Sequence, residues 1–251
     1  MSICFCIPAR LNSTRLNEKL LLKINGESCI RKTIKQVLKS TYYNNDNIFI
    51  FTDNEVIKNE IYDLPCQTFL TSSEYKNGCE RISKNLHFIE DRYNIIVNVQ
   101  ADEPFISEKN IDFAIKQHLE NEESQFYTTL HEEKNSDEYL MSTGSLKMTT
   151  DLNNNVMYYS RNIIPWNKKN KLLKNYIYKT FTGIYVFNRE MLNKYSSLPD
   201  TPLQIMEDCE QLKILENGYK IKSYPTIEYN EISLNTEEDY KYFQTVYDIN
   251  Y

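Results

Sequence analysis

The sequence is poor in glycine, proline and histidine, and each shortage excludes a class of protein or site. It has 251 residues but only 5 glycines and 7 prolines, and no linker rich in proline, glycine or serine divides it. A GxxxxGK[ST] P-loop and a GxGxxG dinucleotide fingerprint are both absent, which removes support for two large nucleotide-binding classes. The 3 histidines lie far apart along the chain, so a histidine-based metal site is not expected.

An excess of basic charge and long apolar runs are also lacking. The net charge is −6, with both signs interspersed, so general nucleic-acid binding is not expected. No stretch approaches the roughly 18 apolar residues of a transmembrane helix, and no basic and apolar signal opens the chain. The 6 cysteines are scattered without a CxxC motif, which favours reduced, buried thiols over disulfides or metal ligands. We therefore expect a cytoplasmic protein without membrane insertion.

The first half of the chain alternates short apolar runs with segments of helical spacing. Strands are predicted at 2–8, 47–51, 66–70 and 94–100, with helices between them at 29–40, 55–62 and 77–90. The strands show no clean polar alternation, which is typical of strands buried on both faces. This pattern predicts an α/β fold with a mostly parallel sheet flanked by helices.

The second half is less regular. Strands are predicted at 126–130, 145–150 and 178–187, and helices at 203–217 and 236–248. The polar stretch 151–177 fits neither period, and we interpret it as an excursion from the core sheet for substrate or subunit contact. Because no repeat or linker interrupts the chain, residues 1–251 are predicted to form a single domain, with the excursion at about 151–180.

A basic loop, PARLNSTRLNEK, directly follows the first predicted strand. Ligands of open α/β sheets bind at the carboxyl ends of the strands, where this loop must lie. Arg10, Arg15 and Lys19 would there form a cradle for a triphosphate, since guanidinium groups bind phosphate through paired hydrogen bonds. The alternative is a solvated basic loop with Lys19 at the start of a helix.

A second candidate site lies in QADEP, directly after the fourth predicted strand. Asp102 is a natural ligand for Mg²⁺, which prefers oxygen donors and completes its shell with water and phosphate. Gln100, two residues earlier, points to the same face of the sheet. The alternative for Asp102 is a capping residue before a turn proline, and Glu103 could be structural.

Seven stretches in the same order resemble motifs of the CMP-Kdo synthetase (3-deoxy-manno-octulosonate cytidylyltransferase) family. They are PARLNSTRLNEKLL, FTDN, NGCERI, VNVQADEP, YYSRNIIPW, GIYVF and CEQLKILENGY. The resemblance covers nearly the whole chain. It implies a nucleotide-diphospho-sugar transferase-like (Rossmann-like) fold and a cytidylyltransferase that couples CTP to a 3-deoxy-2-ulosonic acid sugar with Mg²⁺. A homodimer and a role in lipopolysaccharide or another surface glycan are also implied.

The same resemblance assigns roles residue by residue. It implies catalytic roles for Asp102, Lys19 and Arg15, and metal ligation by Asp102 and Asn235. The implied nucleotide-binding residues are Arg10, Ser13, Arg15, Lys19, Gly78 and Arg81. The implied sugar-binding residues are Gln100, Arg161, Tyr185, Glu210 and Gln211.

The chain departs from the family pattern at four places. Asn235 stands where the family has an aspartate metal ligand, and Phe181 stands where it has a histidine that contacts the sugar. Asn17-Glu18-Lys19 replaces PGK, and Ala101 replaces a glycine. Three hypotheses follow: an active CMP-Kdo synthetase with weaker metal binding, a cytidylyltransferase for a related or sialic-type acid sugar, and a CTP- or sugar-binding homologue without turnover.

Overall fold

The computed structural model describes residues 2–13, 15–121, 125–135, 138–169, 175–229 and 232–247. The strands are β1 (Ser2–Ala9), β2 (Lys23–Ile24), β3 (Glu27–Ser28), β4 (Ile48–Thr52), β5 (Gln67–Leu70), β6 (Tyr93–Val99), β7 (Tyr127–Lys134), β8 (Lys147–Thr150), β9 (Val156–Ser160), β10 (Tyr178–Asn188) and β11 (Ile221–Pro225). The helices are α1 (Cys29–Val37), α2 (Glu55–Glu60), α3 (Gly78–Ser83), α4 (Glu108–Glu120), α5 (Glu138–Met141), α6 (Arg189–Tyr195), α7 (Pro202–Glu207), α8 (Glu210–Glu216) and α9 (Glu237–Tyr247). Short 3₁₀ turns cover Lys19–Leu21 and Leu86–Phe88.

Seven of the strands form the body of one mixed sheet, in the order β11-β7-β10-β6-β1-β4-β5. β1 lies between β4 and β6 and is parallel to both, while β5 and β11 continue the parallel arrangement beside β4 and β7. β10 runs antiparallel to its neighbours β6 and β7. β8 and β9 form a hairpin that attaches to β10. The prediction of a mixed, mostly parallel sheet is confirmed.

Side chains of β1 alternate between two apolar cores, one on each face of the sheet. Phe5 and Ile7 belong to the core that α1, α4 and α9 cover. Cys4 and Cys6 belong to the other core, which α3, α6 and α8 cover. A strand with apolar residues at every position therefore buries both of its faces, as expected for a parallel sheet between two helical layers.

Asparagine and serine side chains fix the starts of several helices. Asn77 accepts a hydrogen bond from the Glu80 backbone N–H at 2.8 Å and caps α3, and Ser107 caps α4 in the same way. Such caps satisfy backbone N–H groups that a helix start leaves without a partner. The cap of α3 places Gly78 and Arg81 directly beside the end of β1.

The second half differs from the prediction in several places, and the helix α6 and the strand β11 were not predicted. The predicted helix at 203–217 is two helices, α7 and α8, because Asp208 takes the left-handed conformation with φ 46° and ends the first. The strand β9 lies in the stretch 151–177, for which neither period predicts a strand. Residues 170–174 of that stretch lie outside the described residues.

The cysteines agree with a further expectation. All six thiols are free, and five are buried while Cys66 is half-buried. Burial raises the pKa of Cys66 to about 11 and that of Cys209 to about 12, so these thiols stay protonated. No helix among the described residues has the length and apolar character that crossing a membrane requires.

Candidate active site

A cavity of about 540 Å³ opens at the carboxyl ends of β1 and β6. β10 crosses beside this edge in the opposite direction and adds residues from its middle, since Ile184 pairs with Val99 of β6. Every site residue predicted from the sequence lines the cavity. They are Arg10, Ser13, Arg15, Lys19, Gly78, Arg81, Gln100, Asp102, Arg161, Tyr185, Glu210, Gln211 and Asn235.

Lys19 is the centre of a compact charged cluster. Its ammonium group forms an ion pair with the Asp102 carboxylate and lies 3.4 Å from Asn235 Oδ1. Arg15 donates to the same Asn235 oxygen at 3.1 Å. The three elements that meet here are the loop after β1, the turn after β6 and the segment before α9. Two cations and one carboxylate leave a net positive charge, which favours a polyanionic ligand.

The loop reaches this geometry through an unusual residue. Glu18, directly before Lys19, has φ 48° and ψ 30°, in the left-handed region that favours glycine. The motif that the loop resembles has a glycine at this position, and glycine adopts this conformation more easily than glutamate does. Lys19 then begins the 3₁₀ turn that directs its side chain toward Asp102.

Arg15 and Arg161 converge on one backbone carbonyl. The Nη1 atoms of Arg15 and Arg161 lie 3.2 Å and 3.4 Å from the oxygen of Gly144, respectively. Arg161 also donates to the backbone oxygens of Glu207 at 3.1 Å and Asp208 at 2.6 Å. Burial and the nearby Arg161 charge lower the pKa of Arg15. Two guanidinium groups thus face the cavity side by side, an arrangement suited to anion binding.

A hydrogen-bonded chain of polar groups forms the floor of the cavity. Gln211 Nε2 donates to the Tyr185 hydroxyl at 2.6 Å, and that hydroxyl donates to Glu210 Oε1 at 2.8 Å. The other Glu210 oxygen accepts the Cys79 backbone N–H at 3.2 Å. Burial raises the pKa of Glu210 and of Tyr185. Because Tyr185 and Gln211 are only 2% and 4% exposed, they present fixed edges to the cavity.

Arg81 is held by the protein itself. Its side chain is 3% exposed, and its guanidinium contacts Asp53 at 3.1 Å, Thr71 Oγ1 at 2.5 Å and the Ser72 backbone oxygen at 3.1 Å. The second Asp53 oxygen accepts the Leu11 backbone N–H at 3.0 Å. Asp53 therefore ties the loop after β1 to α3, a role that FTDN did not reveal from the sequence.

Two glycines allow close packing at the edge of the cavity. A Cβ on Gly78 would lie 2.9 Å from Pro8 Cγ and 3.0 Å from Gln100 Nε2. A Cβ on Gly183 would lie 2.3 Å from Glu103 Oε1. Buried Glu103 accepts the Gly183 backbone N–H at 3.1 Å and the Ser233 hydroxyl at 2.5 Å. Glu103 thus holds β10 against the turn after β6.

Two residues to which the sequence motifs assigned no catalytic or binding role also shape the cavity. Gly144 is one of only 5 glycines in the chain, and this scarcity is the signal that could have identified it. Phe181 lines the cavity with its ring 5.1 Å from the Tyr185 ring and 6.2 Å from the Tyr159 ring. It adds an apolar side chain to the cavity wall.

The Asp102 side of the cavity suits a hard cation. The Asp102 carboxylate and the Asn235 amide oxygen both contact the Lys19 ammonium, so two oxygen donors face one small region. Among the described residues no group of three or more histidine, cysteine, aspartate or glutamate side chains forms a metal cage. Mg²⁺ commonly uses one or two carboxylates and takes its other ligands from phosphate and water. The donor set therefore fits a cation that arrives with a phosphate ligand.

Known proteins are similar to this chain over most of its length. The family model described as cytidylyltransferase matches residues 4–221. A 3-deoxy-manno-octulosonate cytidylyltransferase of Fusobacterium nucleatum is 36% identical over 233 residues, which cover 93% of this chain and 91% of that relative. The mitochondrial enzyme of the same name from Arabidopsis thaliana is 36% identical over 216 residues, 86% of this chain and 73% of the relative.

Solved structures share the fold. The structure of CMP:2-keto-3-deoxy-manno-octonic acid synthetase complexed with CTP matches with a TM-score of 0.85 and 22% identity, over 98% of each chain. The 4-diphosphocytidyl-2C-methyl-D-erythritol synthase of Anaerococcus prevotii matches with a TM-score of 0.61 and 14% identity, over 97% of this chain and 94% of that one. The predicted nucleotidyltransferase fold is confirmed. The chain therefore belongs to the cytidylyltransferase family, in the CMP-Kdo synthetase branch that its motifs resemble.

Proposed function

We propose that this protein transfers CMP from CTP to a 3-deoxy-2-ulosonic acid sugar, Kdo or a close relative, and releases pyrophosphate. One observation carries the proposal. Arg15, beside Lys19 and Asp102, shares the Gly144 carbonyl with Arg161, which lies beside the floor of Tyr185, Glu210 and Gln211. A site for phosphates thus adjoins a site for an acidic, hydroxyl-rich ligand within one cavity.

The phosphate end is assigned to the loop after β1. Arg10, Ser13, Arg15 and Lys19 line the cavity there and supply donors to the triphosphate. Gly78 and Arg81 lie toward the cytidine, where the glycine permits close approach of the ligand to the backbone. Because Arg81 is already bound to Asp53, its part is to shape this wall of the site.

The sugar end is assigned to Arg161 and the polar floor. The planar guanidinium of Arg161 suits the planar carboxylate of the sugar acid. Gln100, Tyr185, Glu210 and Gln211 supply donors and acceptors for sugar hydroxyls. The mutual hydrogen bonds of the last three keep these groups in position before the sugar binds, so little ordering is left to the binding step.

The reaction that follows is a single displacement. The anomeric hydroxyl oxygen of the sugar attacks the α-phosphorus of CTP, a new P–O bond forms, the bond to pyrophosphate breaks and the hydroxyl proton passes to water. The protein contributes position and charge, since Arg161 holds the sugar while Arg15 and Lys19 neutralise the departing pyrophosphate. Asp102 and Asn235 would hold Mg²⁺, which supplies charge neutralisation at the phosphate oxygens.

Two observations favour related functions as alternatives. Phe181 gives the sugar end an apolar wall, which favours a related or sialic-type acid sugar that presents a carbon surface there. Asn235 is a neutral amide that already accepts hydrogen bonds from Arg15 and Lys19, which favours weak metal binding and a homologue that binds CTP without turnover.

The experiment that tests the proposal is pyrophosphate release from CTP and Mg²⁺ with a panel of acid sugars. Kdo, its 8-amino analogue and N-acetylneuraminic acid are tested separately, with CTP binding measured by calorimetry in parallel. Release with Kdo or its analogue supports the proposal, and release with N-acetylneuraminic acid alone selects the sialic-type alternative. CTP binding without release from any sugar selects the binding homologue.

We also propose a cytoplasmic homodimer that uses the excursion at about 151–180. Leu152, Met157 and Trp166 expose large apolar side chains there, and a second copy of the chain would cover them. Arg161 lies in the same stretch, so the excursion serves the sugar site as well. Light scattering should give the mass of two chains, and the double variant L152E/M157E should give the mass of one.

A further inference from the structure

Lys147 is a buried lysine that lies outside the cavity. It stands on β8 with no exposed surface, and its ammonium group reaches three backbone carbonyls. The acceptors are Ser142 O at 2.6 Å, Ser145 O at 2.9 Å and Arg161 O at 2.7 Å, with Ser145 Oγ at 3.3 Å. An ammonium group has three N–H donors and no acceptor, so three carbonyl partners match its protonated form.

These contacts join the two segments that flank the β8–β9 hairpin. Ser142 and Ser145 bound the turn that carries Gly144, and Arg161 follows the end of β9. The side chain of Lys147 therefore fixes the turn to the backbone of the residue whose guanidinium faces the cavity. Burial and the neighbouring Arg161 charge lower the pKa of Lys147 to about 8, while the nearby Glu207 carboxylate raises it. The ammonium form thus predominates at pH 7.

The 142–145 turn also determines where the guanidinium groups of Arg15 and Arg161 lie. The Gly144 carbonyl accepts hydrogen bonds from both Arg15 and Arg161, at 3.2 Å and 3.4 Å. A carbonyl on a loose turn could not orient both groups, because each hydrogen bond requires a limited range of angles. A buried ammonium bound to three carbonyls has few ways to rearrange without leaving one of them unpaired.

We propose that Lys147 is a positioning residue, which fixes the 142–145 turn to the Arg161 backbone and so holds Arg15 and Arg161 in the anion-binding arrangement of the cavity. The structural half of this proposal stands on the contacts alone. The functional half, that the arrangement serves the carboxylate of the acid sugar, rests on the proposed function.

The test compares Lys147→Met with Lys222→Met. Lys222 on β11 is a matched control, because it is also a buried lysine outside the cavity that donates to a backbone carbonyl, but that carbonyl is Asn153 O, at 3.0 Å, in the loop between β8 and β9. Lys147→Met should speed amide hydrogen exchange in residues 142–145 at least tenfold, while Lys222→Met should leave that turn unchanged. Lys147→Gln, which keeps an amide donor on a shorter stem, is measured as well and serves if Lys147→Met does not fold.

The second readout is steady-state kinetics. The KM for the acid sugar should rise at least tenfold in the folded Lys147 variant, with kcat changed less than threefold, because a lost carboxylate contact weakens ground state and transition state alike. In an Arg161→Ala background the same substitution should change the KM less than threefold, since its effect passes mainly through Arg161.

Each outcome decides the proposal. Normal exchange in the turn of a folded Lys147 variant overturns it, even if the wild type releases no pyrophosphate and the proposed function has failed. Faster exchange with an unchanged sugar KM in an active enzyme overturns the positioning role. Faster exchange together with a raised KM that is absent in Lys222→Met establishes it.

Discussion

Asp102 pairs with the Lys19 ammonium, which also contacts the Asn235 amide oxygen. Its carboxylate is the one acidic group in the charged cluster of Arg15, Lys19, Asp102 and Asn235, so removing its charge removes the anionic ligand for a cation. We expect Asp102→Asn, which keeps the shape, to lower pyrophosphate release by about 100-fold or more. Asp63→Asn, at an exposed ion pair with Arg31 outside the cavity, is the control. Near-normal turnover of Asp102→Asn would show that Asp102 is not the main metal ligand.

A substitution at Asn235 is expected to strengthen metal binding, in contrast to the loss expected for Asp102→Asn. An amide oxygen is a weaker ligand than a carboxylate, so Asn235→Asp adds a negative charge beside the proposed cation position. The Mg²⁺ concentration for half-maximal pyrophosphate release should fall about threefold to tenfold. Asn193→Asp, exposed on α6, should leave the titration unchanged. Equal titrations for wild type and Asn235→Asp would show that this position does not contact the metal.

The shape of the phosphate loop requires an unfavourable backbone conformation at Glu18. A side chain in the left-handed region is disfavoured relative to glycine, and φ is 48° here. Glu18→Gly should therefore raise the unfolding free energy by about 0.5–1 kcal/mol, after allowance for the greater freedom of glycine in the unfolded chain. Glu190→Gly, at a helical position of α6, should lower it. Urea unfolding measures both, and a loss of stability in Glu18→Gly would contradict the prediction.

At the scale of elements, Asp53 connects three parts of the fold. It follows β4, accepts the Leu11 backbone N–H of the loop after β1, and pairs with Arg81 of α3. Asp53→Ala leaves a buried guanidinium without its counter-charge, and we expect a loss of about 3–5 kcal/mol in unfolding free energy. Asp53→Ala with Arg81→Met should recover much of that loss. A loss no larger than that of the exposed-site variant Asp63→Ala would show that the pair is not needed for stability.

Elements with one dominant local pattern could be predicted from the sequence. β1, β4 and β6 are short and apolar at nearly every position, and this pattern predicted a buried parallel strand in each case. The helix α4 was not predicted, although Ile111, Ala114 and Ile115 are buried along one face, because polar residues dilute its periodicity. The break between α7 and α8 could not be predicted, since it depends on the backbone angle of Asp208.

The residues that line the site could be predicted from the sequence better than the residues that hold them in position. Motif residues such as Asp102 and Arg161 carry chemistry that restricts what they can do, and they do meet in one cavity. Their supports are ordinary residues whose importance depends on tertiary contacts. Lys147 and Gly144 become important only because β8, β9 and the 142–145 turn come together in the fold.

For the whole molecule, we expect the free energy of unfolding to depend on pH because Glu103 is buried. Burial and the Asp102 charge raise the pKa of Glu103 from 4.5 to about 8. Between these values the unfolded chain loses a proton that the folded protein keeps, so the free energy of unfolding falls as pH rises from about 4.5 to about 8, and this effect then levels off. Because the Asp102 charge contributes to the raised pKa of Glu103, and a bound metal would neutralise that charge, stability is measured without metal or nucleotide.

Glu103→Gln isolates that contribution. Its amide oxygen can still accept from Gly183 and Ser233 but cannot ionise. In urea unfolding at pH 5.5, 7.0 and 8.5, we expect wild type to lose stability relative to Glu103→Gln by about 1–3 kcal/mol across the series. A constant difference across the three pH values would mean that Glu103 ionises in the folded protein as it does in water.

The burial of the native thiols has a practical consequence for labelling. Thiol-reactive dyes need an accessible thiolate, and five of the six cysteines are enclosed while the pKa of half-buried Cys66 is about 11. Ile205 on α7 is 70% exposed and lines the rim of the cavity. Ile205→Cys would thus take a single fluorophore at neutral pH without removal of any native cysteine, and its emission would follow ligand entry in real time.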